Sequence, residues 1–223
     1  MMPPAKPSAL LIVISAPSGC GKTTLVNRLL ARNSNLERSV SATTRRARKG
    51  EVDGRDYIFV SERQFLENRK RRVFLESARV FGHHYGTFKK TVLAKLGKGK
   101  DVVLAIDVQG ARRLKKKIKG IFIFLMPPSM QDLEKRLVDR KRDTKREIEV
   151  RLERARAEIR CAKDYDYVVT NREVSETIRE IEKILLKEKK KRGFAGSNHW
   201  SRSRAAGRRF TGRNARREKL NIA

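Results

Sequence analysis

The stretch from Ala9 to Leu30, ALLIVISAPSGCGKTTLVNRLL, constrains the fold more than any other part of the chain. It starts with an unbroken apolar run, passes through a loop that holds Pro17 and two glycines, and ends in apolar residues at helical spacing. This order predicts a buried strand, a tight loop and an amphipathic helix.

The loop fits the phosphate-cradling pattern G-x-x-x-x-G-K-[ST], except that Ala16 replaces the first glycine. Its glycines let successive backbone N–H groups turn inward, and the dipole of the following helix adds positive potential. We expect the Lys22 ammonium to reach the β- and γ-phosphates of a nucleotide and the Thr23 hydroxyl to bind Mg²⁺. Cys20 is expected to fill space, with a thiol pKa that the helix N-terminus would lower. The predicted nucleotide-binding loop residues are Ala16, Pro17, Ser18, Gly19, Cys20, Gly21, Lys22, Thr23 and Thr24.

Length and composition predict a globular protein with one α/β domain and insertions, since 39% of the 223 residues are hydrophobic. The two cysteines, Cys20 and Cys161, form no disulfide framework and favour a reducing compartment. The N-terminal apolar run is too short for a membrane span and leads directly into the loop. We therefore expect a cytoplasmic protein without a membrane segment.

The net charge of +30 is unevenly distributed along the chain. Thirteen basic and two acidic residues from Lys187 onward give that end +11, and the preceding residues carry the other +19. Residues 188–223 interleave basic residues with Gly, Ser and Asn and hold too few apolar residues for a core, which predicts a disordered tail. Two interpretations stay open: a solvated extension without a partner, or an RNA- or polyanion-binding tail in which Trp200 or Phe210 stacks on a base.

The remaining pattern predicts strands that alternate with helices, and hence a parallel sheet. Val102 to Ile106 is a predicted strand with Asp107 at its exit, where the ligand crevice of such a sheet lies. Residues 40–88 consist of short segments and indicate an inserted lobe, with a helix predicted near Glu62 to Lys70 and a turn over 81–86. Residues 1–8 are a lead-in, and the folded domain is predicted over 9–187.

Five separated motifs together resemble the guanylate kinase family, in matching order from Ala9 to Leu186. They are the APSGCGKT loop, SVSATTRRARKGEVDGRDYIFV, FLESARVFGHHYGT, IDVQGA and RLVDRKRDT. The resemblance implies a P-loop NTPase core with an inserted GMP-binding lobe and a helical lid near residues 131–151. It also implies transfer of a phosphoryl group from Mg²⁺-bound ATP to GMP, and to dGMP, in GMP recycling.

The resemblance assigns roles to residues outside the phosphate loop. Arginine forks and tyrosine hydroxyls suit the phosphate of GMP, and a carboxylate can accept from guanine N1–H and N2–H₂ together. It implies that Lys22 and arginines of the lobe and lid act on the transferring group and that Asn171 lies near the adenine. The implied GMP-binding residues are Ser41, Arg45, Arg48, Tyr57, Glu76, Tyr85, Thr87 and Asp107, and the implied catalytic residues are Lys22, Arg45, Arg136, Arg140 and Arg151.

Besides Ala16, the sequence departs from the family pattern at two further positions. Ala47 replaces a usual proline in TRRAR, which predicts a looser loop and weaker GMP binding. Ala105 replaces a usual acid two residues before Asp107, which removes one water or magnesium contact.

Three other functions remain as alternatives at this point. A kinase of another nucleoside monophosphate would share the phosphate loop but lack the guanine pocket of Ser41 and Glu76. A non-enzymatic scaffold module would typically have lost the loop that Gly21, Lys22 and Thr23 complete here. A nucleic-acid binder would explain the charge but not the nucleotide-site motifs.

Overall fold

A computed structural model describes residues 9–139 and 144–192 of the chain. The predicted lead-in, Arg140 and the tail from residue 193 onward lie outside the described residues. Within those ranges the strands are β1 (Leu11–Ser15), β2 (Leu36–Arg38), β3 (Ser41–Thr43), β4 (Ile58–Phe59), β5 (Phe74–Val80), β6 (His83–Phe88), β7 (Asp101–Ala105), β8 (Ile121–Met126) and β9 (Tyr167–Thr170). The α-helices are α1 (Lys22–Arg32), α2 (Glu62–Lys70), α3 (Lys89–Gly97), α4 (Val108–Lys115), α5 (Met130–Val138), α6 (Lys145–Ile159) and α7 (Val174–Lys191).

A five-stranded parallel sheet of order β2-β7-β1-β8-β9 forms the centre of the molecule. Along β1, Ile12 and Ile14 pack into a cluster with α1 and α7, while Leu11 and Val13 pack into a cluster with α3 and α4. Both faces are covered, which explains why the strand reads as a continuous apolar run. The predicted α/β class with a parallel core is confirmed.

The lobe is a second sheet of order β4-β3-β6-β5, in which β6 pairs antiparallel with β3 and β5. The prediction of a turn over 81–86 is wrong beyond its first two residues. His83 already pairs with Val80, so the turn is Phe81–Gly82 and the rest belongs to β6. His84 stacks on Phe65, with 5.1 Å between ring centroids. Tertiary pairing therefore overrides the loop-like local composition.

Helices α5 and α6 occupy the predicted lid, and α6 continues to Ile159, past the predicted end at 151. Helix α7 extends to Lys191, so the domain boundary placed after residue 187 falls inside a helix. The reason is tertiary: Lys189 Nζ lies 2.6 Å from Oδ2 of the fully buried Asp101 at the start of β7.

No helix among the described residues is long and apolar enough to cross a membrane.

Candidate active site

A cleft of about 240 Å³ lies at the carboxyl ends of β1 and β7, between the lobe and the lid. This is the edge at which parallel α/β sheets bind ligands. All nine predicted residues of the phosphate loop line the cleft. Seven predicted residues from other parts of the chain also line it: Ser41, Arg48, Tyr57, Glu76, Tyr85, Asp107 and Arg151.

The phosphate loop turns through Gly19 and Gly21, whose φ angles of +96° and +82° lie in the left-handed region. Lys22 follows as the first residue of α1, and its Nζ donates to the carbonyl oxygen of Ile106 at 2.8 Å. Burial lowers the pKa of Lys22, against the opposing field of Asp107 and Glu158. The ammonium is thus held at the end of β7, within the cleft.

The expected lowering of the Cys20 pKa is wrong. Burial raises the pKa of this thiol to about 11, although Arg136 and Lys22 act in the opposite direction. The side chain is 1% exposed and its Sγ lies 3.6 Å from the carbonyl oxygen of Leu125. Desolvation outweighs the helix dipole here, so Cys20 is a space-filling residue.

Two predicted site residues, Asn171 and Arg136, do not line the cleft but lie behind the phosphate loop. Asn171 is buried, and its Nδ2 donates to the carbonyl oxygen of Cys20 at 2.7 Å. Its Oδ1 accepts from the Thr177 hydroxyl at 3.1 Å. Arg136 donates to the carbonyl oxygen of Asn171 at 3.1 Å. In this arrangement Asn171 positions the phosphate loop, and Arg136 is hydrogen-bonded to the backbone just after β9.

Glu76 is the buried carboxylate of the lobe side of the cleft, at 7% exposure. It sits at a β-bulge in β5, a feature that re-aims side chains near sites. The Thr87 hydroxyl donates to Glu76 Oε1 at 2.6 Å, and Oε2 lies so close to Gly110 that a Cβ at position 110 would force the carboxylate to shift. Burial raises the pKa of Glu76 to about 7, while the Thr87 bond lowers it and Asp107 raises it. Thr87 itself is fully buried and contacts Glu76, not the cleft.

Three of the four predicted GMP-phosphate ligands line the same part of the cleft. The rings of Tyr57 and Tyr85 meet edge to face, with centroids 5.9 Å apart, and Arg48 lines the cleft as they do. Arg45 is the exception, because its Nη2 pairs with Glu51 at 2.8 Å while its guanidinium lies over the Tyr57 ring. The structure therefore brings Arg48 and the two tyrosines to the cleft, while the bond to Glu51 holds Arg45 outside its lining.

The lid reaches the phosphate loop through Arg151. Its Nη1 donates to the Ser18 hydroxyl at 3.2 Å, and its guanidinium lies 5.1 Å from the Phe81 ring centroid. One residue of α6 thus joins the loop, the lid and the tip of the β5–β6 hairpin.

Sequence reasoning missed five side chains that line the cleft: Arg38, Val80, Phe81, Ile106 and Glu158. Arg38 Nε is buried and has no hydrogen-bond partner among the described residues, and its Nη2 is 3.4 Å from the carbonyl oxygen of Asp56. The position of Arg38 at the carboxyl end of β2 was the available signal, but that strand was not predicted. Burial raises the pKa of Glu158, which also pairs with Arg154 at 3.0 Å.

Ala105 lines the cleft where an acid was expected from the family pattern. Asp107 is nevertheless well supported, because its Oδ1 accepts from the backbone N–H groups of Gln109 at 2.8 Å and Gly110 at 3.3 Å. It is the N-cap of α4. The described residues contain no group of three or more His, Cys, Asp or Glu side chains that could hold a metal ion alone.

Comparison with known proteins agrees with this geometry. The family model described as guanylate kinase matches residues 8–188. A guanylate kinase of Clostridioides difficile is 45% identical over 183 residues, covering 82% of this chain and 89% of the relative. A guanylate kinase of a Wolbachia from Brugia malayi is 46% identical over 185 residues, covering 82% and 95%.

A solved structure gives the same result at the level of the fold. The crystal structure of guanylate kinase from Anaplasma phagocytophilum superimposes with a TM-score of 0.69 at 38% identity, covering 81% of this chain and 86% of the other. The phosphate loop and the buried carboxylate thus lie in a fold shared with these relatives, and the chain belongs to the guanylate kinase family.

Proposed function

We propose how the cleft is divided for the guanylate kinase reaction, in which ATP phosphorylates GMP to give ADP and GDP. ATP lies against the phosphate loop, the guanine of GMP lies at Glu76, and the GMP phosphate lies between Arg48 and the two tyrosines. The observation that carries this proposal is that one cleft is lined both by the whole phosphate loop and by the buried carboxylate.

Guanine recognition rests on Glu76. As a carboxylate it accepts from guanine N1–H and N2–H₂, while adenine presents a lone pair at N1 and would leave the carboxylate repelled and unpaired. Because Thr87 donates to one carboxylate oxygen, it fixes the orientation of the group that reads the base. Ser41 and Asp107 complete the base side of the cleft.

Phosphoryl transfer needs positioning and neutralisation of charge more than covalent chemistry. The oxygen of the GMP phosphate is already deprotonated, so it attacks without a protein base. Lys22 leaves the Ile106 carbonyl to contact the β- and γ-phosphates, and Arg151 acts from the lid on the transferring group. Arg45 joins the GMP phosphate by exchanging its bond to Glu51, and Arg136 supports the ATP side.

Magnesium fits this site only as a companion of ATP. The Thr23 hydroxyl lies at the start of α1 and lines the cleft, where it supplies one oxygen ligand, and phosphate oxygens and water would supply the others. The bound ion would neutralise charge on the transferring phosphoryl group. The absence of an acidic cage among the described residues agrees with the preference of Mg²⁺ for substrate phosphates.

The same cleft supports dGMP as a second acceptor, because the assigned groups face the base and the phosphate rather than the sugar 2′-hydroxyl. The corresponding cellular role is GMP recycling in the cytoplasm.

The prediction of RNA or polyanion binding concerns residues that, apart from Lys189 to Arg192, lie outside the described ones, and it stays a prediction. Truncation after Arg192, which spares Lys189, is the suitable test: salt-sensitive RNA retention should be lost and kinase activity kept.

The test of the function is a coupled assay of ADP release with Mg²⁺ and ATP. We expect activity with GMP and dGMP and little with AMP, UMP or CMP. Glu76→Gln should reduce the GMP/AMP ratio of kcat/KM, because the amide can donate to adenine N1 and keeps one acceptor for guanine. Equal activity with several monophosphates would favour the alternative kinase, and the absence of GMP-dependent ADP release would favour a non-enzymatic module.

A further inference from the structure

The tip of the β5–β6 hairpin carries an unusual residue. Val80 pairs with His83, which leaves Phe81 and Gly82 as a two-residue loop with φ angles of +47° and +79°. Loops with positive φ at both positions favour Asn-Gly or Gly-Gly, because a large side chain in the left-handed region crowds the backbone. Phe81 therefore occupies a position where its own backbone is strained.

Phe81 is also unusually exposed for a large apolar residue, at 42%. It lines the cleft, and two guanidinium groups of α6 lie within cation–π distance of it. Arg154 Cζ is 4.5 Å from the ring centroid and Arg151 Cζ is 5.1 Å from it. The ring of Phe81 thus joins the hairpin tip of the lobe to helix α6 of the lid.

The two arginines have different surroundings. Arg154 is bound by Glu158 on the same helix at 3.0 Å, so it provides a fixed contact for the ring. Arg151 instead donates to Ser18 in the phosphate loop. The ring therefore contacts both Arg154, which is paired with Glu158, and Arg151, which bonds to the phosphate loop.

Strained residues persist where the surrounding structure over-determines them, and they cluster at functional sites. Asparagine at position 81 would relax the backbone but would offer no aromatic face to α6. We propose that Phe81 is a positioning residue for phosphoryl transfer, whose ring holds Arg151 over the phosphate loop and so joins the GMP lobe to the lid. The inference rests on the proposed function, because it takes Arg151 to act on the transferring group.

Three substitutions separate the ring from the backbone. Phe81→Leu keeps an apolar side chain and the same backbone strain but removes the π face, and Phe81→Tyr keeps the π face. Phe81→Asn removes both the ring and the strain. Leu93→Ala is the matched control, since Leu93 is 53% exposed on α3 and does not line the cleft.

We expect Phe81→Leu to lower kcat about fivefold, the rate equivalent of one cation–π contact at a partly exposed site, with KM for GMP changed by about twofold or less. Phe81→Tyr and Leu93→Ala should keep kcat near that of the unmodified protein. Phe81→Asn should lose kcat as Phe81→Leu does while unfolding at a higher temperature, because left-handed backbone suits asparagine. Full kcat in Phe81→Leu or in Phe81→Asn would overturn the proposal.

Hydrogen exchange of α6 without nucleotides keeps the proposal testable apart from the reaction. Backbone amides of α6 should exchange faster in Phe81→Leu and Phe81→Asn than in Phe81→Tyr, Leu93→Ala and the unmodified protein. Equal exchange in all five proteins would overturn the proposal whatever the assay gives. Faster exchange together with an absence of GMP-dependent turnover in every protein would instead identify the proposed function as the part that failed.

Discussion

The pKa of Glu76 predicts how the enzyme depends on pH. Below about pH 7 the carboxyl group is protonated in the free enzyme, and it then loses one of the two acceptors that we propose for guanine. Since kcat/KM reports ionisations of the free enzyme, kcat/KM for GMP should fall as the pH falls through 7. With a pKa of about 7, roughly a tenth of the molecules are ionised at pH 6, so the expected loss between pH 8 and pH 6 is about tenfold.

Two variants isolate this effect. The phosphate of GMP has its own pKa near ~6 and contributes to any profile, so the ratio of the unmodified enzyme to Glu76→Gln at each pH removes that contribution. Thr87→Val removes the hydroxyl that donates to Glu76 Oε1, and this bond lowers the pKa of Glu76. A hydrogen bond to a charged group contributes ~1.5–3 kcal/mol, so the acid limb of the kcat/KM profile should move about one pH unit higher in Thr87→Val.

The assay is initial-rate ADP release at GMP concentrations below KM, from pH 5.5 to 9, with ATP saturating. Parallel profiles for the unmodified enzyme and Glu76→Gln would mean that Glu76 does not titrate in this range. A limb that stays in place or moves to lower pH in Thr87→Val would refute the role given to the hydroxyl.

Three further substitutions test other parts of the structure. Lys22→Met should lower kcat about 10²-fold or more and leave KM for GMP nearly unchanged, because we propose that the ammonium acts on the transferring phosphates; a raised KM at full kcat would contradict this in steady-state assays. Arg38→Met should lower kcat/KM for GMP about tenfold, because it removes a guanidinium that lines the cleft and whose Nε has no hydrogen-bond partner among the described residues. Unchanged kinetics would exclude a role of Arg38 in the reaction. Lys189→Met leaves the buried carboxylate of Asp101 without its cation and should reduce the free energy of unfolding by about 3 kcal/mol in urea denaturation. The exposed Lys190→Met should change it by less than about 0.5 kcal/mol, and equal effects of the two would refute the ion-pair argument.

The core of the fold could be predicted from the sequence because its signals are local. The apolar run and the glycine loop mark β1 and the phosphate loop, and the helix predicted near Glu62 to Lys70 has those bounds in the structure. The start of this helix is marked locally too, since Ser61 is its N-cap and forms reciprocal hydrogen bonds with Gln64.

What could not be predicted depends on contacts distant in sequence. Strand β2 has three residues, two of them charged, and exists through its pairing with β7. Missing that strand meant missing Arg38. The pairing of Arg45 with Glu51 and the bond from Thr87 to Glu76 likewise follow from folded geometry, and sequence reasoning predicted neither bond.

The amide of Asn171 has a consequence for the energetics of ATP binding. It joins β9 and α7 to the backbone of the phosphate loop at Cys20, so the interior of the protein defines the loop conformation before a nucleotide arrives. Ordering a residue's backbone costs about 1–2 kcal/mol. For this loop that entropy is lost during folding, and the affinity for ATP is not reduced by it.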